Sequence, residues 1–127
     1  MSASNYLELK LLDHSLGTTA YTKPSNIYIG LHTTSALDAG SGTELSGSGY
    51  ARQAITFAAA SSGSASSNST VTFPTATGSW GTVSHWSIWD ASSSGNLLFH
   101  GSFAASKAIA TGDVLKVSSG DITISVD

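Results

Sequence analysis

"SWGTVSHWSIWDASSSGNLLFHG", residues 79 to 101, holds all three tryptophans of the chain, two of its four histidines and Asp90. It reads as two alternating segments, "TVSHWSIWD" at 82–90 and "NLLFHGSF" at 96–103, whose shared "DASSSGN" has the Ser and Gly of a turn. In the first, Val83, His85, Ser87 and Trp89 fall on one face and Ser84, Trp86 and Ile88 on the other. In the second, Leu97, Phe99 and Phe103 lie opposite Leu98, His100 and Ser102. Strands this close in sequence pair antiparallel, because a parallel pair needs a crossover of about a dozen residues. The aromatic density admits three readings: packed strands, a sugar-binding platform, or a catalytic cluster. Tryptophans on both faces, with serine at the margins, favour packing around a hydrogen-bonded histidine. A sugar platform would use exposed Trp faces, but its companion acids are missing apart from Asp90. Catalysis by Ser, His and Asp needs a nucleophile raised on a strained turn, and no G-x-S-x-G or similar signature occurs.

The same alternation recurs outward from this stretch. After "KPSN", Ile27, Ile29 and Leu31 share one face and Tyr28, Gly30 and His32 the other. Further strands are expected at 50–57, 69–75, 113–118 and 121–127. The fold class is therefore all-β: an antiparallel β-sandwich, jelly-roll or Ig-like, of about seven or eight strands over residues 25–127. Ile27, Ile29, Phe57, Phe73, Trp86, Ile88, Phe99, Ile122 and Ile124 are its expected core. "GDVLKVSSGDITISVD" at 112–127 has the spacing of a terminal hairpin, with Ile122, Ile124 and Val126 facing inward. The Gly/Ser-rich runs at 38–49, 58–69 and 90–96 read as connectors, the first as a mobile outer loop.

Residues 1–24 read as an N-terminal helix and arm. Asn5 followed by Glu8 resembles a capping box, and "YLELKLLDHSL" then runs to Gly17 without Gly, Pro or β-branched residues. Leu9, Leu12 and Leu16 form one stripe, while Leu7 and Leu11, with His14 beside them, fall nearly opposite. Such a helix is either buried within its own domain or covered on one face by a neighbouring chain. For the second setting the expected interface residues are Tyr6, Leu7, Leu11, Tyr21 and Trp89.

Composition narrows the function. Charged residues are only 10% of the chain, so solubility rests on Ser, Thr, Gly and Asn. Five basic and eight acidic side chains give a net charge of -3. No Lys/Arg cluster could neutralise a row of phosphates, so no nucleic-acid partner is expected. There is no cysteine for a disulfide or thiolate metal site, and His14, His32, His85 and His100 lack the spacing of a metal motif. Glu8 and Glu44, the only glutamates, lie on the helix and in a Gly-rich loop and make no glycosidase pair. "GSGTELSGSG" lacks the Lys-Ser and strand-to-helix setting of a phosphate loop. No apolar run approaches the roughly 18 residues of a membrane span, and no leader is recognisable, so cytoplasmic assembly without a membrane partner is expected. No catalytic, metal or cofactor residue is assigned. A chemically empty Ser/Thr/Gly-rich β-domain with a two-faced helix suits an assembly component.

"GLHT" at 30–33, "GYARQ" at 49–53, "SWGTVSH" at 79–85 and "GNLLFHG" at 95–101 carry a resemblance over nearly the whole chain, including the "NYLELKLLDHSLG" start. The chain resembles a family of small tailed-bacteriophage virion proteins, often labelled tail-fibre-like. The resemblance implies a non-enzymatic virion structural protein, assembled in the host bacterial cytoplasm and needing no cofactor. A fibre shaft needs length or repeats, and the chain has neither. The expectation is therefore a capsid decoration, or cement, protein: a homotrimer clamping neighbouring copies of the phage major capsid protein. The alternative is a tail-fibre or tail/baseplate adaptor bound to tail proteins. A carbohydrate-binding module is the reading from a different class.

Overall fold

The computed structural model describes residues 1–126. Its elements in chain order are β1 (Ser2–Ala3), α1 (Asn5–Ser15), β2 (Ile27–His32), β3 (Gln53–Ile55), β4 (Ser64–Ser66), β5 (Val71–Thr72), β6 (Gly81–Trp89), β7 (Leu97–Ile109), β8 (Lys116–Val117) and β9 (Thr123–Ser125). Five of these form one antiparallel sheet in the order β1-β7-β6-β2-β3. Two short antiparallel ribbons, β4-β9 and β5-β8, complete a sandwich-like arrangement of nine strands with one N-terminal helix.

The central sheet follows the alternation of its sequence. Ile29 pairs with Ile88 and Leu31 with Trp86, and all four are buried on the core face. Phe73, Val117 and Ile122, brought in by the ribbons and their flanks, are 1% exposed and share this core. On the sheet's other face, Tyr28 pairs with Trp89, Gly30 with Ser87 and His32 with His85. A register break between Val83 and His85 leaves residues 103–106 of β7 opposite Ser84 alone. Past that break Val83 is 1% exposed and belongs to the core cluster, rather than to the face of His85, Ser87 and Trp89.

Several elements differ from the sequence expectation. β7 runs to Ile109, well beyond Phe103, because the long β6 continues to pair with it as far as Gly81. No terminal hairpin forms: β8 pairs with β5 and β9 with β4. The run at 58–69, read as a connector, contributes β4, and Ser2–Ala3 adds an edge strand to β7. Ile122 is buried, Ile124 is half-buried and Val126 is 63% exposed, so the inward row stops short of the chain end. The last residue of the expected strand, Asp127, lies outside the described residues. The loop after β2 is held in place and is not a free connector: His32 and Glu44 form an antiparallel bridge, and Leu45 N–H donates to Leu31 O at 3.0 Å.

The helix is capped by Ser4, not Asn5. Ser4 Oγ accepts from Leu7 N–H at 3.1 Å and itself donates to Leu97 O, which ties the cap to β7. At the other end Gly17 takes φ +82°, its N–H bonding His14 O while Thr18 N–H bonds Asp13 O, the paired closure that stops a helix at glycine. Leu7 packs into the core at 4% exposure. Leu9, Leu12 and Leu16 are 65%, 56% and 77% exposed, so their stripe is the unpartnered face.

Candidate functional site

Of two Ser-His pairs among the described residues, Ser84 with the adjacent His85 at 2.7 Å and the fully buried His32 with Ser87, the buried one is structural. His32 Nδ1 lies 3.0 Å from Thr43 O, and a carbonyl can only accept, so Nδ1 carries the proton. Nε2 is then the acceptor for Ser87 Oγ–H at 2.7 Å, while the same Oγ accepts from Trp89 Nε1–H at 2.6 Å. Burial pushes the His32 imidazole below its ordinary value, keeping it neutral. His32 and Ser87 are both 0% exposed, so no substrate reaches the hydroxyl. Gly30 lies over this pair: a Cβ there would stand 2.7 Å from Glu44 Oε2 and 2.8 Å from Ser87 Oγ, which accounts for the glycine of "GLHT".

Beside it, Arg52 clasps three segments. Its Nε and Nη2 grip Glu44 at 2.8–3.2 Å, its Nη1 donates to Ala91 O at 2.9 Å and Ser94 O at 2.8 Å, and its guanidinium lies 3.9 Å over the Trp89 ring. Tyr50 donates its hydroxyl to Glu44 and accepts from Leu31 N–H at 3.0 Å, and its phenol is raised well above the ordinary value by burial and then by Glu44. This network fastens the 33–52 and 90–96 loops to the sheet. Trp89 is thereby occupied within its own chain. The remaining acid-histidine contact, His100 Nε2 to Asp38 Oδ1 at 2.6 Å, sits at the surface. Its hydrogen bond, with a second from Ser2, holds the Asp38 carboxyl below the usual range. Among the described residues, no three His, Cys, Asp or Glu side chains converge as metal ligands, and no helix is long and apolar enough to cross a membrane.

The feature left without an internal explanation is an apolar groove of about 460 Å³ between α1 and the β4-β9 ribbon. Ile27, Phe57, Phe99 and Ile124, all expected in the core, are half-buried along it. They are on the correct face, but nothing covers them. Leu11, 37% exposed, and Tyr21 form its other wall, and Ala60 and Val126 lie exposed at its margin.

The expected interface residues thus separate. Leu11 and Tyr21 line the groove. Leu7 reaches it only as part of the core floor and is closed to a neighbour. Tyr6 faces a different, polar cleft beside Tyr21 and Tyr28. The exposed stripe Leu9, Leu12 and Leu16 was recognisable from spacing, but which helix face the sheet would cover was not.

Compared with known proteins, residues 2–125 match the family model described as "Podophage GP4 fiber I protein gp80". No curated protein matches the chain.

Proposed function

The chain belongs to this podophage fibre-protein family and is thus a phage virion structural protein, and from that premise we propose that it is a non-enzymatic subunit of the tail-fibre apparatus, joined to further copies of itself through the apolar groove. The groove carries the assembly reading. Four residues whose alternation marks them as core stand half open in a folded chain, and a contiguous apolar surface of this kind is a site of association. The occupant that fits is a second copy. The exposed Leu9, Leu12 and Leu16 stripe is an apolar ridge of helical length, and the same chain supplies both ridge and groove. Such a ridge-in-groove contact is heterologous, and where its rotation closes it makes a ring; the homotrimer expected from the resemblance is one such ring.

The fibre position rests on the family description. Capsid decoration, with the major capsid protein as partner, is the second reading, favoured by a chain that has no repeat and no shaft-forming element. Copy number in purified virions, measured by quantitative gel densitometry together with antibody labelling in the electron microscope, separates them. A small copy number with label at the tail supports the fibre reading. Hundreds of copies with label over the head would replace it with decoration.

A further inference from the structure

Three of the four tyrosines of the chain, Tyr6, Tyr21 and Tyr28, meet at one surface cleft of about 550 Å³. They come from α1, from the arm before β2 and from β2 itself, so the fold gathers them from separate elements. The fourth, Tyr50, has its hydroxyl satisfied by Glu44 and Leu31, whereas the three at the cleft make no hydrogen bond through their hydroxyls to any described residue. Asp90 stands in the same cleft with both carboxylate oxygens steadied by Asn96, from its backbone N–H at 2.7 Å and its side-chain amide at 2.9 Å. Asn26 and Ser92 add short polar groups at the edge.

We propose that the Tyr6/Tyr21/Tyr28 cleft, with Asp90, is a binding site for a neutral oligosaccharide. Tyr21 and Tyr28 offer flat apolar ring faces to the C–H faces of a sugar ring, Tyr6 having Lys10 Nζ 5.6 Å from its ring centroid, and all three hydroxyls both donate and accept among sugar hydroxyls. A carboxylate fixed by two hydrogen bonds accepts from a pair of sugar hydroxyls without first having to be ordered. Charge favours a neutral ligand: one cation, Lys23, and one anion, Asp90, line the cleft, and no arginine lines it for a phosphate or sulfate. The volume takes more than one sugar ring, and the open shape suits part of a longer chain. Trp89, the aromatic most suggestive from sequence, is not the platform, because Arg52 covers its ring.

The test is an amide-resolved NMR titration of the intact protein with maltose, lactose, cellobiose and N,N'-diacetylchitobiose. The expected result is saturable shifts at the amides of 21–28 and 90–92 with at least one of these sugars, at a Kd of about 1 mM. Ser92→Trp, placed at an exposed position so that the indole fills the cleft, weakens that binding at least about tenfold. Tyr28→Phe, which keeps the ring and removes one hydroxyl, weakens it by a smaller factor. Neither position lines the apolar groove, so failure here leaves the assembly reading standing. No saturable shift at these amides with any of the four sugars, or undiminished binding by Ser92→Trp, would overturn the proposal.

Discussion

His32 links a buried hydrogen-bond geometry to a measurable pH dependence. Its folded pKa lies below the unfolded value of about 6.5, so below that pH the unfolded chain takes up a proton that the folded one refuses. The stability associated with neutral His32 is therefore complete above pH 6.5 or so, and declines as the pH falls from there toward the lowered folded value. Denaturant unfolding between about pH 5 and 8 should show this decline, and His32→Gln should flatten it. Arg52→Lys keeps the charge but loses the fork that holds Glu44, Ala91 and Ser94 together, and should cost about 1–3 kcal/mol in the same assay. Phe73→Ala, at 1% exposure, should cost about 3–5 kcal/mol, and Phe99→Ala clearly less in the isolated chain. That contrast marks how far single residues were legible. Ile29, Phe73, Trp86, Ile88 and Ile122 are legible as core because alternation assigns a face. Ile27, Phe57, Phe99 and Ile124 were assigned the same face, but alternation does not report whether anything lies over it. The Glu44-Tyr50-Arg52 network had no signal, since Glu44 sits in the Gly/Ser-rich run at 38–49 while Tyr50 and Arg52 open the expected strand at 50–57, where alternation assigns a face but names no partner.

Among the elements, α1 depends on both its cap and its single buried leucine. Ser4→Ala removes the bond to Leu7 N–H and the tie to Leu97 O, and should lower the unfolding free energy by about 0.5–2 kcal/mol. Ser4 and Asn5 are equally good caps by residue type, and a tertiary contact invisible in sequence decided between them. Long alternating strands were legible: β2 was bounded as found and β6 within a residue. The far half of β7 was not, because "AASKA" carries no alternation and is drawn into the sheet by its partner. β4, β8 and β9 are so short that their pairing is set by where the chain returns over the core and not by their own pattern. A triple change of Leu9, Leu12 and Leu16 to Ser breaks no contact within the chain, so in the dissociated chain it should cost only the lower helix propensity of serine, about 1 kcal/mol or less by denaturant unfolding.

At the scale of the whole molecule, two unpartnered apolar surfaces, the leucine stripe and the groove, support the proposed self-association of this virion protein. A net charge of -3 spread over a chain with 10% charged residues puts little repulsion in the way of close packing. The groove's exposed margin allows its occupancy to be tested without touching the core, because Ala60→Glu and Val126→Asp place charge beside it at positions already open to solvent. Multi-angle light scattering of the intact protein and of this double variant, with circular dichroism to verify folding, is the direct measurement. The predicted result is a closed homo-oligomer for the intact chain and a folded monomer for the variant. A monodisperse monomer for the intact chain, or an oligomer that persists unchanged when the groove margin carries two added charges, would contradict it.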